Sequence, residues 1–370
     1  MEKTQPSGGG QNRISSGPLD QRITMASILS VEPPIIYVRP RPVPFGLAGA
    51  VAERSRGRPF ICIARTMWTL EEPHQLFELS FIYRRFRQRF PHIRLIVAAN
   101  TEAELRLLEQ NGVETIFANH NMFVDERMFK PMPDAARTYD AIYNACFSPF
   151  KRRWLCMEIE RCAHLGYVAD PDQKGDPLGA FLAAKADLPH HDFLNPVSAN
   201  KARRLGAREV NQVLARAAVG LCLSEAEGAM VASVEYLLAG LPVVTTPNLG
   251  GRDRYFTAET AIVAEPNPRA IRDAVMALKA RNIPRSVVRR ITLELVRRDR
   301  EAFNSFIGGL RQGFEPIRND PRWSFNYVNN LCEWGKVSDF ATRLGLPPAA
   351  GQETPPELLF SGEEREFRDR

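Results

Sequence analysis

From about residue 34 the chain alternates short apolar runs with longer stretches whose apolar residues recur every three or four positions. "PIIYVR" (34–39), "PFICIA" (59–64), "IRLIVAAN" (93–100) and "VETIFANH" (113–120) predict strands. Between them, 72–90 and 101–112 carry helical spacing; Thr101 is placed as an N-cap and Gly112 as a stop. The pattern restarts at "DAIYNACF" (140–147), a strand. A long amphipathic helix is predicted over 151–166, then a strand and loop at "HHDFLNPVS" (190–198) and a helix over 207–217. Strand "VGLCLS" (219–224), helix 229–240, strand "PVVTTP" (242–247), segment 260–266 and helix 268–280 complete the series. Strands separated by helices predict an α/β fold with mostly parallel sheets covered on both faces. Two such runs, joined near Lys130 to Asp134, predict two Rossmann-like domains facing a cleft.

The segment Ser224 to Thr246, "SEAEGAMVASVEYLLAGLPVVTT", sets an acid inside an apolar helix. Glu227 lies in the loop after a strand, and Glu235 sits about two turns into the next helix. Ligands in parallel sheets rest at the carboxyl ends of strands, where helix N-termini present free N–H groups. Glu235 therefore faces either water or a polar ligand lying across the start of its helix. Glu227 reads equally as a first-turn acid favoured by the helix dipole.

Composition narrows the class. With 370 residues, 44% hydrophobic and 25% charged, this is the profile of a soluble globular protein, without an apolar run near the ~20 residues of a membrane helix. The Gly/Ser-rich start is read as a disordered leader over 1–30, and the acidic end, 348–370, as a disordered tail. The six cysteines form no close C-x-x-C pair, so no structural zinc site is expected and a reducing, cytoplasmic location fits. A net charge of +6 accommodates phosphate-bearing ligands. No nucleic-acid-binding signature is present. The arginine-rich helix around Arg84, Arg85, Arg87 and Arg89 offers peripheral contact with an anionic membrane, against the plainer reading of an amphipathic core helix with solvated arginines.

The residues resemble the retaining GT-B glycosyltransferases of group 1 (family 4-like). Ser224-Glu225-Ala226-Glu227-Gly228 matches that family's Ser-x-x-Glu-Gly turn, Glu227 and Glu235 its Glu-x7-Glu pair, and Ala239-Gly240-Leu241-Pro242-Val243-Val244 its Ala-x-Gly-x-Pro-Val-Val. "NLGG" ending at Gly251 resembles its glycine loop, and Val124-Asp125 with Phe129-Lys130-Pro131 its interdomain linker. In "YNACFSPFKR" Lys151 occupies the family's lysine position, while Cys146 stands where the family has an arginine.

The resemblance implies a GT-B-like fold with a short first domain. Residues 31–135 would be the reduced acceptor-side domain, 136–310 the nucleotide-sugar-binding domain and 311–347 C-terminal helices. The implied activity is transfer of a sugar from a nucleotide-sugar donor to an unidentified saccharide or lipid-linked acceptor. It would proceed with retention and without metal or other cofactor, as in hexosyl transfer during polysaccharide biosynthesis. Glu235 would accept from the ribose hydroxyls. Glu227, with the backbone of Gly228, Ala229 and Met230, would hold the sugar. Lys151 and Arg152 would face the diphosphate, and Gly250 and Gly251 would let backbone approach it.

His120 is a further catalytic candidate, although it lies in the linker-like segment. Arg65 ends a strand at the cleft and could meet phosphate or acceptor. The pair His190-His191 falls in a segment resembling the family's base-contacting loop. Arg152 or Arg252 could replace the missing arginine, since a thiol cannot grip phosphate as a guanidinium does. Two other readings stay open: a non-catalytic GT-B-like nucleotide-sugar-binding or assembly protein, and, less in keeping with the motif, an epimerase or phosphorylase of the same fold.

Overall fold

The computed structural model describes residues 19–39, 45–132, 135–167, 177–198, 201–310 and 331–348. Two six-stranded sheets organise them. The first contains β1 (Ile23–Val31), β2 (Pro34–Val38), β3 (Phe60–Arg65), β4 (Ile93–Ala99) and β5 (Thr115–Phe117). Strands β2 to β5 run parallel, and β1 is antiparallel to β2. Its flanking helices are α1 (Leu47–Val51), α2 (Pro73–Arg89) and α3 (Glu102–Gln110). Parallel strands are buried on both faces, which is why β2 and β3 read as unbroken apolar runs and are buried at every residue. The side chain of Thr101 caps α3 by accepting from the amide of Glu104, and Gly112 takes a left-handed φ of 71° just past its end.

The second sheet holds β6 (Tyr139–Asn144), β7 (Cys162–Leu165) and β8 (Asp192–Phe193), with α4 (Pro177–Asp187) before β8. A small antiparallel pair follows, β9 (Val197–Ser198) and β10 (Lys201–Ala202). Then come α5 (Ala207–Ala215), β11 (Ala217–Cys222), α6 (Val231–Leu238), β12 (Val243–Thr245), β13 (Ala261–Val263) and α7 (Pro268–Arg281). The strand order is β13-β12-β11-β6-β7-β8, all parallel. From β6 the chain builds outward through β7 and β8, then returns to lay β11 against the other side of β6. That reversal makes the carboxyl ends of β6 and β11 the switch point of the sheet, where a ligand crevice opens.

Helix α8 (Arg285–Leu310) ties the two halves together. Its Phe303 stacks edge-on against Phe123 at 5.1 Å and Tyr37 at 6.3 Å, and all three rings are buried. Such edge-on pairs add ~0.5–1.5 kcal/mol beyond the area they bury. Arg300 of the same helix donates to the carbonyls of Met122 (2.6 Å) and Val124 (2.8 Å). The chain end then returns to the first sheet as β14 (Glu333–Lys336), antiparallel to β1, followed by α9 (Val337–Arg343).

Several expectations change here. The leader cannot extend to residue 30, because β1 begins at Ile23; residues 1–18 lie outside the described set. The span 311–347 is not all helix, since 333–336 is a strand and 311–330 is outside the described residues, as is the tail from 349. With β1 and β14 added, the first sheet has as many strands as the second, so the first domain is not reduced in that respect. The helix predicted over 151–166 does not form. Two 3-10 turns, Pro149–Lys151 and Arg153–Cys156, are joined by Arg152 at φ 47°, and the chain enters β7 at Cys162. A helix would have carried Arg153 on its basic face, but the left-handed residue turns that side chain into the interior, where it is buried.

Candidate functional site

Lys151 follows β6 and Glu227 follows β11, so both stand at the switch point. The ammonium of Lys151 donates to Oε1 of Glu227, and both side chains are buried. Ser224 Oγ donates to the same oxygen at 2.7 Å. A buried ion pair of this kind requires close geometry to offset the loss of hydration. Phe150 lies beside it, with its ring 4.9 Å from Lys151 Nζ and edge-on to Trp68 of the first domain at 5.2 Å.

Glu235 lies on α6 and is half-buried, with one long contact from Asn144 Nδ2 at 3.4 Å. Burial pushes its carboxyl up to about 7, partly opposed by Arg204. Arg204 is exposed and stacks over Tyr167 at 4.1 Å. It belongs to the loop after β10; the nearest sequence cue was its position just beyond the "HHDFLNPVS" segment. Glu235 thus departs from a freely solvated helix acid: its carboxylate is partly withdrawn from water, and among the described residues its one side-chain hydrogen bond is the long one from Asn144.

The turn 228–230 has its carbonyls accounted for. Gly251 N donates to Gly228 O at 2.6 Å, His120 Nε2 to Ala229 O at 2.8 Å, and Asn121 Nδ2 to Met230 O at 3.2 Å. Asn119 Nδ2 adds a bond to Gly251 O at 2.7 Å. The run Asn119-His120-Asn121 from the first domain therefore grips both loops of the second. Glycine is required at these places by backbone packing. A Cβ on Gly250 (φ 101°) would lie 1.7 Å from Glu227 O, one on Gly228 2.7 Å from Met67 O, and one on Gly251 2.6 Å from Asn100 Cβ. These clashes concern protein neighbours, so the glycines by themselves carry no argument about a ligand.

His120 is buried, and its pKa is held well below the ordinary histidine range, first by burial and then by the positive charge of Arg65. Because Ala229 O can only accept, Nε2 carries the ring proton; Nδ1 is buried and has no partner among the described residues. The ring is a neutral interdomain strut. Arg65 is 6% exposed, and its Nε and Nη1 find no partner among the described residues. Its charge reaches Tyr37, Arg39 and His120. Desolvation and Arg65 lower Arg39 to about 10.

The two arginines considered as replacements at position 146 are occupied. Arg152 donates from Nε to Leu223 O (2.7 Å) and from Nη2 to Thr246 Oγ1 (2.8 Å), tying its turn to the ends of β11 and β12. Arg252 is fully buried and donates to Ser224 O (2.5 Å), Thr245 Oγ1 and Thr246 O (2.6 Å each) and Asp253 Oδ1 (2.7 Å). It braces the Glu227 turn from beneath and does not face the cleft. Cys146 is buried and 3.5 Å from Ser148 Oγ. His190 is exposed with its ring against Met157 O, and His191 is buried beside His164. On α2, Ile82, Tyr83 and Phe86 are buried, Arg87 donates to Ile93 O and Arg89 pairs with Glu53. Among the described residues no helix is long and apolar enough to cross a membrane.

The arrangement of two parallel-sheet domains about a shared cleft is the GT-B fold. A structure of Alr3699/HepE from Anabaena in complex with UDP aligns with TM-score 0.51 at 14% identity, over 70% of this chain and 76% of that one. The same protein with UDP and glucose gives 0.50 at 14%, over 70% and 75%. Sucrose-phosphate synthase from Thermosynechococcus elongatus gives 0.49 at 13%, over 71% and 76%. At 14% identity the two Alr3699/HepE alignments establish the fold. No curated protein sequence matches the chain. Residues 184–280 match the family Glycosyl transferases group 1, which spans α5, the Glu227 turn, α6 and α7. The match to group 1 glycosyltransferases is thus confined to this stretch of the second domain, the part that holds the Glu227 turn and α6.

Proposed function

We propose that the protein transfers a sugar from a nucleotide-sugar donor to an acceptor hydroxyl, with retention at the anomeric carbon. The observation that carries this reading is the Lys151–Glu227 pair at the switch point, with the partly desolvated Glu235 on the following helix. In this reading the donor draws Lys151 onto its diphosphate, where the ammonium stabilises charge on the leaving group. Glu227, released from the pair, accepts from sugar hydroxyls. Glu235 accepts from the ribose hydroxyls. Arg204 adds positive charge on the same side.

Retention requires the acceptor to approach on the face the nucleotide leaves, so positioning and a charge clamp do the work. Arg65, buried and with two nitrogens that find no partner among the described residues, is the acceptor-side group available to orient that hydroxyl's carrier. UDP is the first nucleotide to test, because Alr3699/HepE binds it on the same fold. A mass-spectrometric assay for hydrolysis or transfer with UDP- and GDP-sugars tests the activity. Turnover lost in Lys151→Ala supports it; binding of a nucleotide-sugar without turnover across an acceptor panel would favour a binding or assembly role.

A further inference from the structure

The place where a helix was expected contains instead a buried cluster of four metal-ligand side chains. Cys156 ends the second 3-10 turn, Cys162 and His164 lie on β7, and His191 precedes β8. One ligand atom from each lies within 4.8 Å of all the others, and all four residues are at most 3% exposed. His164 Nε2 is 3.9 Å from Cys156 Sγ and 3.0 Å from His191 Nδ1. A tetrahedral ion bound at ~2.3 Å by sulfur and ~2.0 Å by nitrogen sets edges of roughly 3.3 to 3.8 Å. The cluster is close to that size. The spacing hid it, because Cys156 and Cys162 are six positions apart and the second histidine comes from another strand.

We propose that Cys156, Cys162, His164 and His191 bind a structural zinc ion that braces the loop carrying Lys151. The donor set is two thiolates and two imidazoles, the soft, closed, tetrahedral set that suits zinc. Each thiol gives up its proton on binding, so the dication is neutralised by two thiolates. His191 is already oriented as a ligand: its Nε2 donates to Ile159 O at 2.8 Å, leaving the Nδ1 lone pair directed into the cluster. Phe193 stacks on His164 at 4.6 Å and shields that side from water.

Hydrogen bonding alone also explains part of the arrangement. Arg153 Nη1 lies 2.9 Å from His164 Nδ1, so without metal the protons run from Arg153 to His164 to His191 to Ile159 O. That chain accounts for both rings but gives no reason for two thiols to converge on them. With zinc bound, the His164 proton moves to Nδ1 and the Arg153 Nη1 contact breaks, while Nη2 stays held by the carbonyls of Ala145 and Leu165. The brace matters because residues 149–156 have no α-helical ladder of their own. The ion would pin the end of that segment to β7 and to the start of β8. The proposal stands whether or not the protein is a transferase.

The test is elemental analysis and zinc-edge X-ray absorption on full-length protein purified without added metal. One zinc per chain with two sulfur and two nitrogen neighbours is expected. After chelation, Co2+ should restore a thiolate-to-cobalt charge-transfer band, and metal removal should lower the melting temperature by roughly 5 °C or more. Cys156→Ser with Cys162→Ser should reduce bound zinc to background. Folded wild-type protein that holds no zinc and gives no thiolate band with Co2+ would overturn the proposal. So would zinc in a shell without sulfur, or stoichiometric zinc retained by the double variant.

Discussion

Lys151 and Glu227, 76 residues apart in the chain, form a buried ion pair at the point where the second sheet reverses its strand order. Each side chain follows a different central strand, so the pair exists only once β6 and β11 are neighbours. Removing one partner leaves the other charge buried and uncompensated.

Lys151→Met should therefore destabilise the protein by about 3–5 kcal/mol, and Lys151→Met with Glu227→Gln should recover much of that loss. Denaturant unfolding of the double-mutant cycle measures it. On turnover, Lys151→Arg should preserve folding better than Lys151→Met yet still lower kcat by roughly 10²-fold or more, because a charge placed for the leaving group is lost from its position.

Glu235 should impose a pH dependence of its own. Its carboxyl is raised from 4.5 to about 7, so its stabilising contribution is full below pH 4.5 and is lost as pH rises towards 7. Glu235→Gln should be more stable than wild type at pH 8, by roughly 1–3 kcal/mol, and the gain should vanish near pH 4.5. Nucleotide binding should run the opposite way. Wild-type affinity should strengthen as pH rises through about 7, and the variant should bind weakly with a flat profile, both read by calorimetry.

His120 should behave as a strut. His120→Phe removes the donor to Ala229 O and leaves that carbonyl unsatisfied, costing ~1–3 kcal/mol. Because its folded pKa is depressed, the neutral ring loses stability as pH falls below the ordinary histidine value of 6.5. The variant should lack that part of the acid sensitivity in thermal melts between pH 7 and pH 5.

Arg65→Met should leave nucleotide affinity unchanged and should not destabilise the fold, since a buried guanidinium with two nitrogens unpartnered among the described residues is exchanged for an apolar side chain of similar length. Transfer should fall, with the loss appearing in the acceptor KM. Steady-state kinetics with donor and acceptor varied separately resolve this.

Most of the αβ alternation was legible because parallel strands buried on both faces announce themselves as apolar runs, and because local signals such as Thr101 and Gly112 act where they stand. The Glu227 turn and Glu235 were legible for the same reason, lying in one continuous motif. Strand β1 was not, since its residues are mostly half-buried and its other partner, β14, arrives from residues 333–336. The segment 151–166 misled because Arg152, Arg153 and the residues after them have helical spacing. Its actual course depends on tertiary contacts: Arg152 onto Leu223 and Thr246, Arg153 onto Ala145 and Leu165, and His164 onto His191. Arg252 showed no signal separating a cleft-facing cation from an internal brace. Only its fixed acceptors, Ser224 O, Thr245 Oγ1 and Thr246 O, settle that.

The most direct test of the central claim is calorimetric titration of UDP, GDP and a panel of their sugars into wild-type protein and Glu235→Ala at pH 8. The account predicts micromolar binding of one nucleotide-sugar, lost in the variant while the variant remains folded by circular dichroism. Folded wild-type protein that binds none of the panel, or a variant that binds as tightly as wild type, would contradict it.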